Sequence, residues 1–282
     1  MRSRTCLRAF SLGLLFLASG FAPLRAQVGL ADAAERAKWE DFLRTARIGE
    51  SVQMGGANAV TNPWKLTLTK DGVTRFGLWK DIDTGEDTPD RFRFEIAAYR
   101  MDVLLGLDLV PPSVERRFQG RPGSVQLWMD GTESLKARTA KGTEVREANR
   151  EAWNLKAYVQ RAFDSLIANE DRNANNILVD AEDRMMLIDH SRSFRTAKPF
   201  SERLVFGAGG LMRTVTGTPY PFSKLPRAFV DKLRALDAKS VRTAAKGSLT
   251  AKEIEVLLRR RDLLLEEVAT LVGEKGEAEV LY

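Results

Sequence analysis

Asn169-Glu170-Asp171-Arg172-Asn173-Ala174-Asn175-Asn176-Ile177-Leu178-Val179, followed after a short turn by Met185-Met186-Leu187-Ile188-Asp189-His190, decides how this chain is read. Two apolar runs flank a cluster of turn residues, the pattern of a β-hairpin. Around it stand a carboxylate at Asp171, an amide five residues on at Asn176 and a second carboxylate 18 residues on at Asp189. Carboxylates and amides are hard-oxygen donors, suited to Mg²⁺, Mn²⁺ or Ca²⁺ rather than zinc or copper. The layout suits one carboxylate orienting a hydroxyl while the other two groups hold a metal against a triphosphate.

Part of the same stretch also fits a calcium loop. Asp171, Asn173, Asn175 and Glu182 stand at its first, third, fifth and twelfth positions. The sixth position is Asn176 rather than Gly, and Met185–Ile188 reads as a strand where a helix is required. A calcium-binding envelope protein is therefore the weaker alternative.

The remaining composition narrows the classes. At 282 residues, 44% hydrophobic and 29% charged, the chain is long enough for one large core or two modest lobes. Arg2, Arg4 and Arg8 precede an apolar run, Ala9 to Ala22, that ends near Leu24-Arg25-Ala26. This reads as a signal peptide over residues 1–26, with export to the periplasm or exterior. The only cysteine, Cys6, lies within it. Removing those residues, with four arginines and no acids, leaves 40 basic against 38 acidic residues and turns the formal +6 into +2. Nucleic acid is therefore not an expected partner. No later run is apolar enough for a transmembrane helix, so none is expected in the mature chain.

Residues 27–46 suggest an N-terminal helix carrying Trp39, Phe42 and Leu43. Val52–Met54, Trp64–Thr69 and Val73–Lys80 read as strands, with Asp71-Gly72 as a hairpin turn. Phe92–Leu107 reads as a helix stopped by Gly106 and Pro111-Pro112, and Val114–Phe118 and Ser124–Met129 as two further strands. After Asp130-Gly131 the chain turns helical: Glu144–Asn169, Phe229–Ala238, and a terminal helix opened by the capping box Thr250–Glu253. Residues 195–224 read as irregular. The expected fold is α+β and two-lobed, with an antiparallel β-rich lobe over 47–130 and a mainly helical lobe over 131–282.

Lys80 ends the third strand, and Glu95 follows on the only helix of the first lobe. A strand lysine paired with a helical glutamate can clamp nucleotide phosphates. Gly55-Gly56 with Asn58 could bring backbone N–H groups to phosphate oxygens. His190 is the only histidine, which excludes a multi-histidine metal site and favours packing over catalysis. Arg172, Arg192 and Arg195 cluster nearby, equally suited to a solvated face or to an anionic ligand.

Together these residues resemble the atypical kinases of the protein-kinase-like superfamily. Asp171-Arg172-Asn173-x-x-Asn176-Ile177-Leu178 with Leu187-Ile188-Asp189 is similar to a pattern of phosphatidylinositol 3-/4-kinases and of secretory-pathway kinases related to the Golgi casein kinase. The resemblance spans residues 50–195 and implies a kinase fold and a nucleoside triphosphate, such as ATP, with Mg²⁺ or Mn²⁺. By it, Asp171 is the catalytic base, Lys80 binds phosphate and pairs with Glu95, and Asn176 and Asp189 bind metal. Gly55 and Gly56 cover phosphates, and Gln126, Trp128 and Met129 form the hinge beside the base. Asn173, where the family often has His, and His190-Ser191-Arg192 after the metal Asp depart from that pattern. The acceptor is a protein, lipid or glycan hydroxyl. A non-catalytic, nucleotide-binding pseudokinase scaffold is the alternative.

Overall fold

A computed structural model describes residues 32–55, 62–84 and 90–282. The expected signal peptide, and with it Cys6, lies outside these residues, as do Gly56 and Asn58. Helix α1 (Ala33–Thr45) starts where Asp32 accepts hydrogen bonds from the N–H groups of Ala34 and Glu35. Five strands follow in one antiparallel sheet: β1 (Arg47–Gln53), β2 (Trp64–Lys70), β3 (Val73–Lys80), β4 (Ser113–Glu115) and β5 (Ser124–Leu127), in the order β1-β2-β3-β5-β4. Asp71 and Gly72 join β2 to β3 with φ of 49° and 75°, the paired positive angles of a type I′ hairpin turn.

Alternation sorts the two faces of this sheet. Leu66, Leu68, Trp79, Val125 and Leu127 face α1 and form one core with its Trp39, Phe42 and Leu43. Lys65, Phe76, Leu78, Lys80 and Gln126 lie on the opposite face. Helix α2 (Phe92–Leu105) runs between that sheet and the helical half, and ends at Gly106 in the left-handed conformation, φ 65°.

The second core gathers α2 with the helical half. Here β6 (Glu133–Ser134), α3 (Leu135–Ala140), α4 (Arg150–Ile167), β7 (Ile177–Val179) and β8 (Met185–Leu187) are followed by α5 (Lys198–Glu202), α6 (Arg227–Ala235), α7 (Ala238–Ala245), α8 (Ala251–Lys275) and α9 (Glu277–Val280). The expected hairpin is β7–β8, with Leu178 opposite Met186, and β6 extends it to three strands. The loop that resembled a calcium site exits into β8, not into a helix. The Thr250–Glu253 capping box opens α8 as expected. Buried in α8, Arg260 donates from Nε to the Leu166 carbonyl (2.7 Å) and from Nη1 to the Arg195 carbonyl (2.9 Å). It thus ties the end of α4 to the segment after β8.

Several boundaries differ from expectation. β1 begins at Arg47, because as an edge strand it carries mostly exposed polar residues and shows no apolar alternation. α4 begins at Arg150 after a turn of 3₁₀ helix over Glu147–Asn149. The helix expected at Phe229–Ala238 spans Arg227–Ala235, and residues 195–224 contain α5. No described helix is long and apolar enough to cross a membrane.

Candidate active site

The alternation of β3 points Lys80 away from α1 and toward α2. Its Nζ lies 2.6 Å from Glu95 Oε1 and 2.8 Å from Asp189 Oδ1. Lys80 and Glu95 are only 8% and 2% exposed, so neither charge is left to water. Burial alone pulls the Lys80 pKa down, but Glu95 and Asp189 together raise it above the ordinary lysine range. Burial likewise pushes Glu95 up, and the Lys80 ammonium together with His190 more than reverses this, holding the carboxylate well below its usual range. The second Glu95 oxygen accepts the backbone N–H of His190 at 2.9 Å.

Asp189 has φ 61°, a left-handed conformation that a non-glycine residue adopts at a cost of about 1 kcal/mol. Neighbouring contacts fix it. β8 precedes it, and after it Ser191 Oγ donates to Asp90 Oδ1 at 2.6 Å while the Arg91 N–H donates to the Ser191 carbonyl at 2.9 Å. Phe194 then packs against Phe94 of α2, ring centres 5.4 Å apart. The chain after Asp189 is thereby stitched to the first turn of α2, beside Glu95.

Asn176 sits at the mouth of β7, where its Nδ2 donates to the Asp171 carbonyl at 2.9 Å and fixes the loop. Its Oδ1 and the Asp189 Oδ2 accept no hydrogen bond among the described residues. Asp171 itself is partly exposed. Burial raises its pKa, Arg192 opposes this, and Asp189 and Asp90 add to it.

A divalent cation fits the Asn176 and Asp189 oxygens by donor chemistry. Mg²⁺ keeps few protein ligands and fills its octahedron with water and substrate phosphates, so an amide and a carboxylate suffice. Among the described residues no group of three or more His, Cys, Asp or Glu could hold a metal, so an all-protein cage of those residues is not present there.

The expected hinge residues divide by role. Gln126 is buried, and its Nε2 donates to Ser113 Oγ at 3.0 Å within the sheet. Trp128 lies on the Lys80 face, its N–H spent on the Phe76 carbonyl at 3.0 Å. The Met129 side chain packs toward the α1 core, whereas its N–H donates to nothing among the described residues. Leu127 donates its N–H to the Pro112 carbonyl at 2.9 Å, and Pro112, without an N–H, returns no bond to the Leu127 carbonyl. Among the described residues, a free carbonyl at Leu127 and a free N–H at Met129 therefore stand two residues apart. Gly55 has φ 128°, a conformation reserved for glycine, just beyond the end of β1.

Two residues matter more than sequence inspection suggested. Asp164 on α4 is fully buried and accepts from Arg172 Nε (2.9 Å) and Nη2 (3.0 Å) and from Asn169 Nδ2 (3.1 Å). Arg172 also donates to the carbonyls of Asn176 and Ile188, each at 2.7 Å, and to His190 Nε2 at 2.9 Å. So Arg172 is the inner brace of the hairpin, not a ligand for an external anion. Because Nε2 of His190 accepts, its proton sits on Nδ1, and burial lowers the ring's pKa. The histidine is a neutral packing residue. Arg195 pairs with Glu170 at 2.6 Å, while Arg192, half exposed, is the cation that acts on Asp171. The available signal was an aspartate within the apolar face of α4.

No protein-family model matches the chain, and no curated protein matches it. Among solved structures it is similar to the Helicobacter pylori proinflammatory kinase CtkA, with a TM-score of 0.54 and 11% identity, over 83% of this chain and 96% of that one. At that identity the likeness shows the fold, and the fold is the two-lobed, kinase-like α+β architecture.

Proposed function

We propose that this chain is a phosphotransferase that moves the γ-phosphoryl group of a nucleoside triphosphate to a hydroxyl acceptor. The observation that carries the proposal is Lys80 bridging Glu95 and Asp189, which joins the β-rich lobe, α2 and the hairpin around one buried ammonium. In this scheme Lys80 holds the α- and β-phosphates and Glu95 keeps it extended and charged. Asp171 orients the acceptor hydroxyl and takes its proton, a role that suits a partly exposed carboxylate with a raised pKa. Asn176 and Asp189 hold Mg²⁺ or Mn²⁺, which neutralises charge on the phosphates when bound. Leu127 and Met129 pair with the edge of the base through the backbone, and the chain at Gly55 closes over the phosphates. Most of the rate enhancement then comes from positioning and preorganised charge.

The likeness to a solved kinase structure supports nucleotide use in general. The residue pattern 171–189 supports a place among the lipid-kinase and secretory-kinase relatives, and residues 1–26 support export to the periplasm or beyond. N-terminal sequencing of the isolated protein tests export: a start at Gln27 supports it and a start at Met1 sinks it. The activity is tested by thermal stabilisation with ATP-Mn²⁺, with Mn²⁺ alone and with Ca²⁺, using Asp189→Ala as control. An ATP-dependent shift with phosphate transfer supports the enzyme. A shift without turnover supports a scaffold, a calcium-only shift a calcium protein, and no nucleotide effect overturns the proposal.

A further inference from the structure

The Lys80–Glu95 contact joins elements that pack in two different cores. Lys80 belongs to the sheet, whose apolar face packs on Trp39, Phe42 and Leu43 of α1. Glu95 belongs to α2, whose Phe94, Ala97, Ala98 and Met101 are part of the other core. Arg93 forks onto Glu253 of α8, so charge as well as packing holds α2 to the helical half. A second polar connection crosses the same divide. Glu40, on α1, accepts from Arg100 Nη1 at 2.8 Å, from Arg100 Nη2 at 2.9 Å and from the Tyr99 hydroxyl at 2.9 Å. Arg44 of its own helix adds a further bond at 2.8 Å. Arg36, one turn earlier, pairs with Asp108 just beyond α2. The Arg100 and Glu40 side chains are only 11% and 13% exposed, so water is a poor substitute for this bidentate pair. Burial raises the Glu40 pKa, but Arg100 and Arg44 overcome this and bring it down to about 2. The carboxylate is therefore charged in neutral solution.

We propose that Glu40 is a positioning residue for phosphoryl transfer: from α1 it holds α2 against the sheet so that Glu95 stays on Lys80. The inference rests on the nucleotide-binding reading above. Five residues separate Glu95 from Arg100, about 7.5 Å along a helix axis. Held at both points, α2 has one setting against the sheet. Held at Glu95 alone, it can pivot, and the buried pair opens. The buried apolar side chains of α1 do not replace Glu40 in this, because they pack on the sheet and not on α2. Once the pair opens, Lys80 loses the carboxylate that keeps it extended toward the phosphates. Only the fraction of molecules with the pair closed then binds nucleotide at full strength. Glu40 itself touches neither nucleotide nor acceptor, and acts through α2.

The test compares the full chain with Glu40→Gln, which keeps the shape and removes the charge, at a temperature well below both melting points. Calorimetry is expected to show ATP-Mg²⁺ binding about tenfold weaker in the variant, the result when roughly one molecule in ten keeps the pair closed. A second readout needs no nucleotide. Acetylation of Lys80 by acetic anhydride, followed by mass spectrometry, is expected to be several times faster in the variant, because opening the pair uncovers the amine. Lys156, whose Nζ donates to the Leu107 carbonyl within the helical half, is the internal reference and should not change. A general loss of stability would speed both lysines together. Equal ATP affinity, or a rise at Lys80 no greater than at Lys156, overturns this inference and leaves the phosphotransferase proposal standing. A parent that binds no nucleotide overturns both. If Glu40→Gln does not fold, Arg100→Lys, which keeps the charge and loses the fork, carries the same two measurements, with smaller shifts in the same directions.

Discussion

Arg172 forks onto Asp164, Nε to Oδ2 at 2.9 Å and Nη2 to Oδ1 at 3.0 Å, with both side chains out of water. The remaining Arg172 donors reach the carbonyls of Asn176 and Ile188, so one guanidinium fixes both strands of the hairpin from inside. Asp164→Asn leaves that cation buried and short of its counter-charge. The expected cost is about 3 kcal/mol, read as a lowered midpoint in urea with an unchanged slope. A midpoint equal to the parent's would show that the pair contributes nothing.

Lys80 and Glu95 form a second buried pair, and each is costly alone. Lys80→Met strands the Glu95 carboxylate, with an expected loss of about 3 kcal/mol. Adding Glu95→Leu removes the stranded charge, so the double variant should be more stable than the sum of the singles by at least about 1 kcal/mol. Additive losses in the cycle would mean that the two groups do not interact.

Asp171 supplies the proton acceptor in the proposed reaction. Asp171→Asn should lower kcat by a factor of about 10² to 10⁴ while nucleotide stabilisation persists. Because its pKa is raised, the parent's rate should fall as pH drops through a value above the ordinary aspartate range. Single-turnover rates across pH 4–8 check this; an asparagine variant with the parent's rate and profile would remove Asp171 from the mechanism.

Asp102 lies at the end of α2, fully buried, with Oδ1 accepting the Leu109 N–H and Oδ2 without a partner among the described residues. Burial pushes its pKa up to about 7, although the Leu109 N–H and Arg36 pull the other way. The folded state thus keeps a proton that the unfolded chain releases near pH 4, so stability falls as pH rises from about 4 to about 7. Asp102→Asn retains the acceptor and has no proton to lose. It should be more stable than the parent at pH 8, by on the order of 2 kcal/mol, with the gap closing near pH 4. Melting curves at both pH values decide it, and a pH-independent difference would contradict it.

Much of this architecture was legible because its signals are local. The Asp71–Gly72 turn, the Thr250–Glu253 box and the period-two pattern of β2 and β3 each declare themselves within a few residues. Lys80, Glu95 and Asp189 could be named because a strand end, a helix start and an apolar run ending in Asp are one-dimensional patterns. What stayed hidden depends on partners distant in the chain. α7 buries only Val241 and Ala245, too few positions to show a period. β6 exists because it pairs with β7, across more than forty residues. Arg172 looked like an available cation, and only the position of Asp164 on α4 shows that it faces inward.

The setting of α2 carries a practical consequence for inhibitor chemistry. On one side Glu40 of α1 takes both Arg100 nitrogens, at 2.8 and 2.9 Å, and the Tyr99 hydroxyl at 2.9 Å. On the other, Arg93 forks onto Glu253 at the head of α8, at 2.7 and 2.5 Å. A compound that works by levering α2 outward would have to break two bidentate ion pairs and the seam to Ser191 before it gained any room. Small molecules that pair instead with the Leu127 carbonyl and the Met129 N–H leave all of these contacts intact.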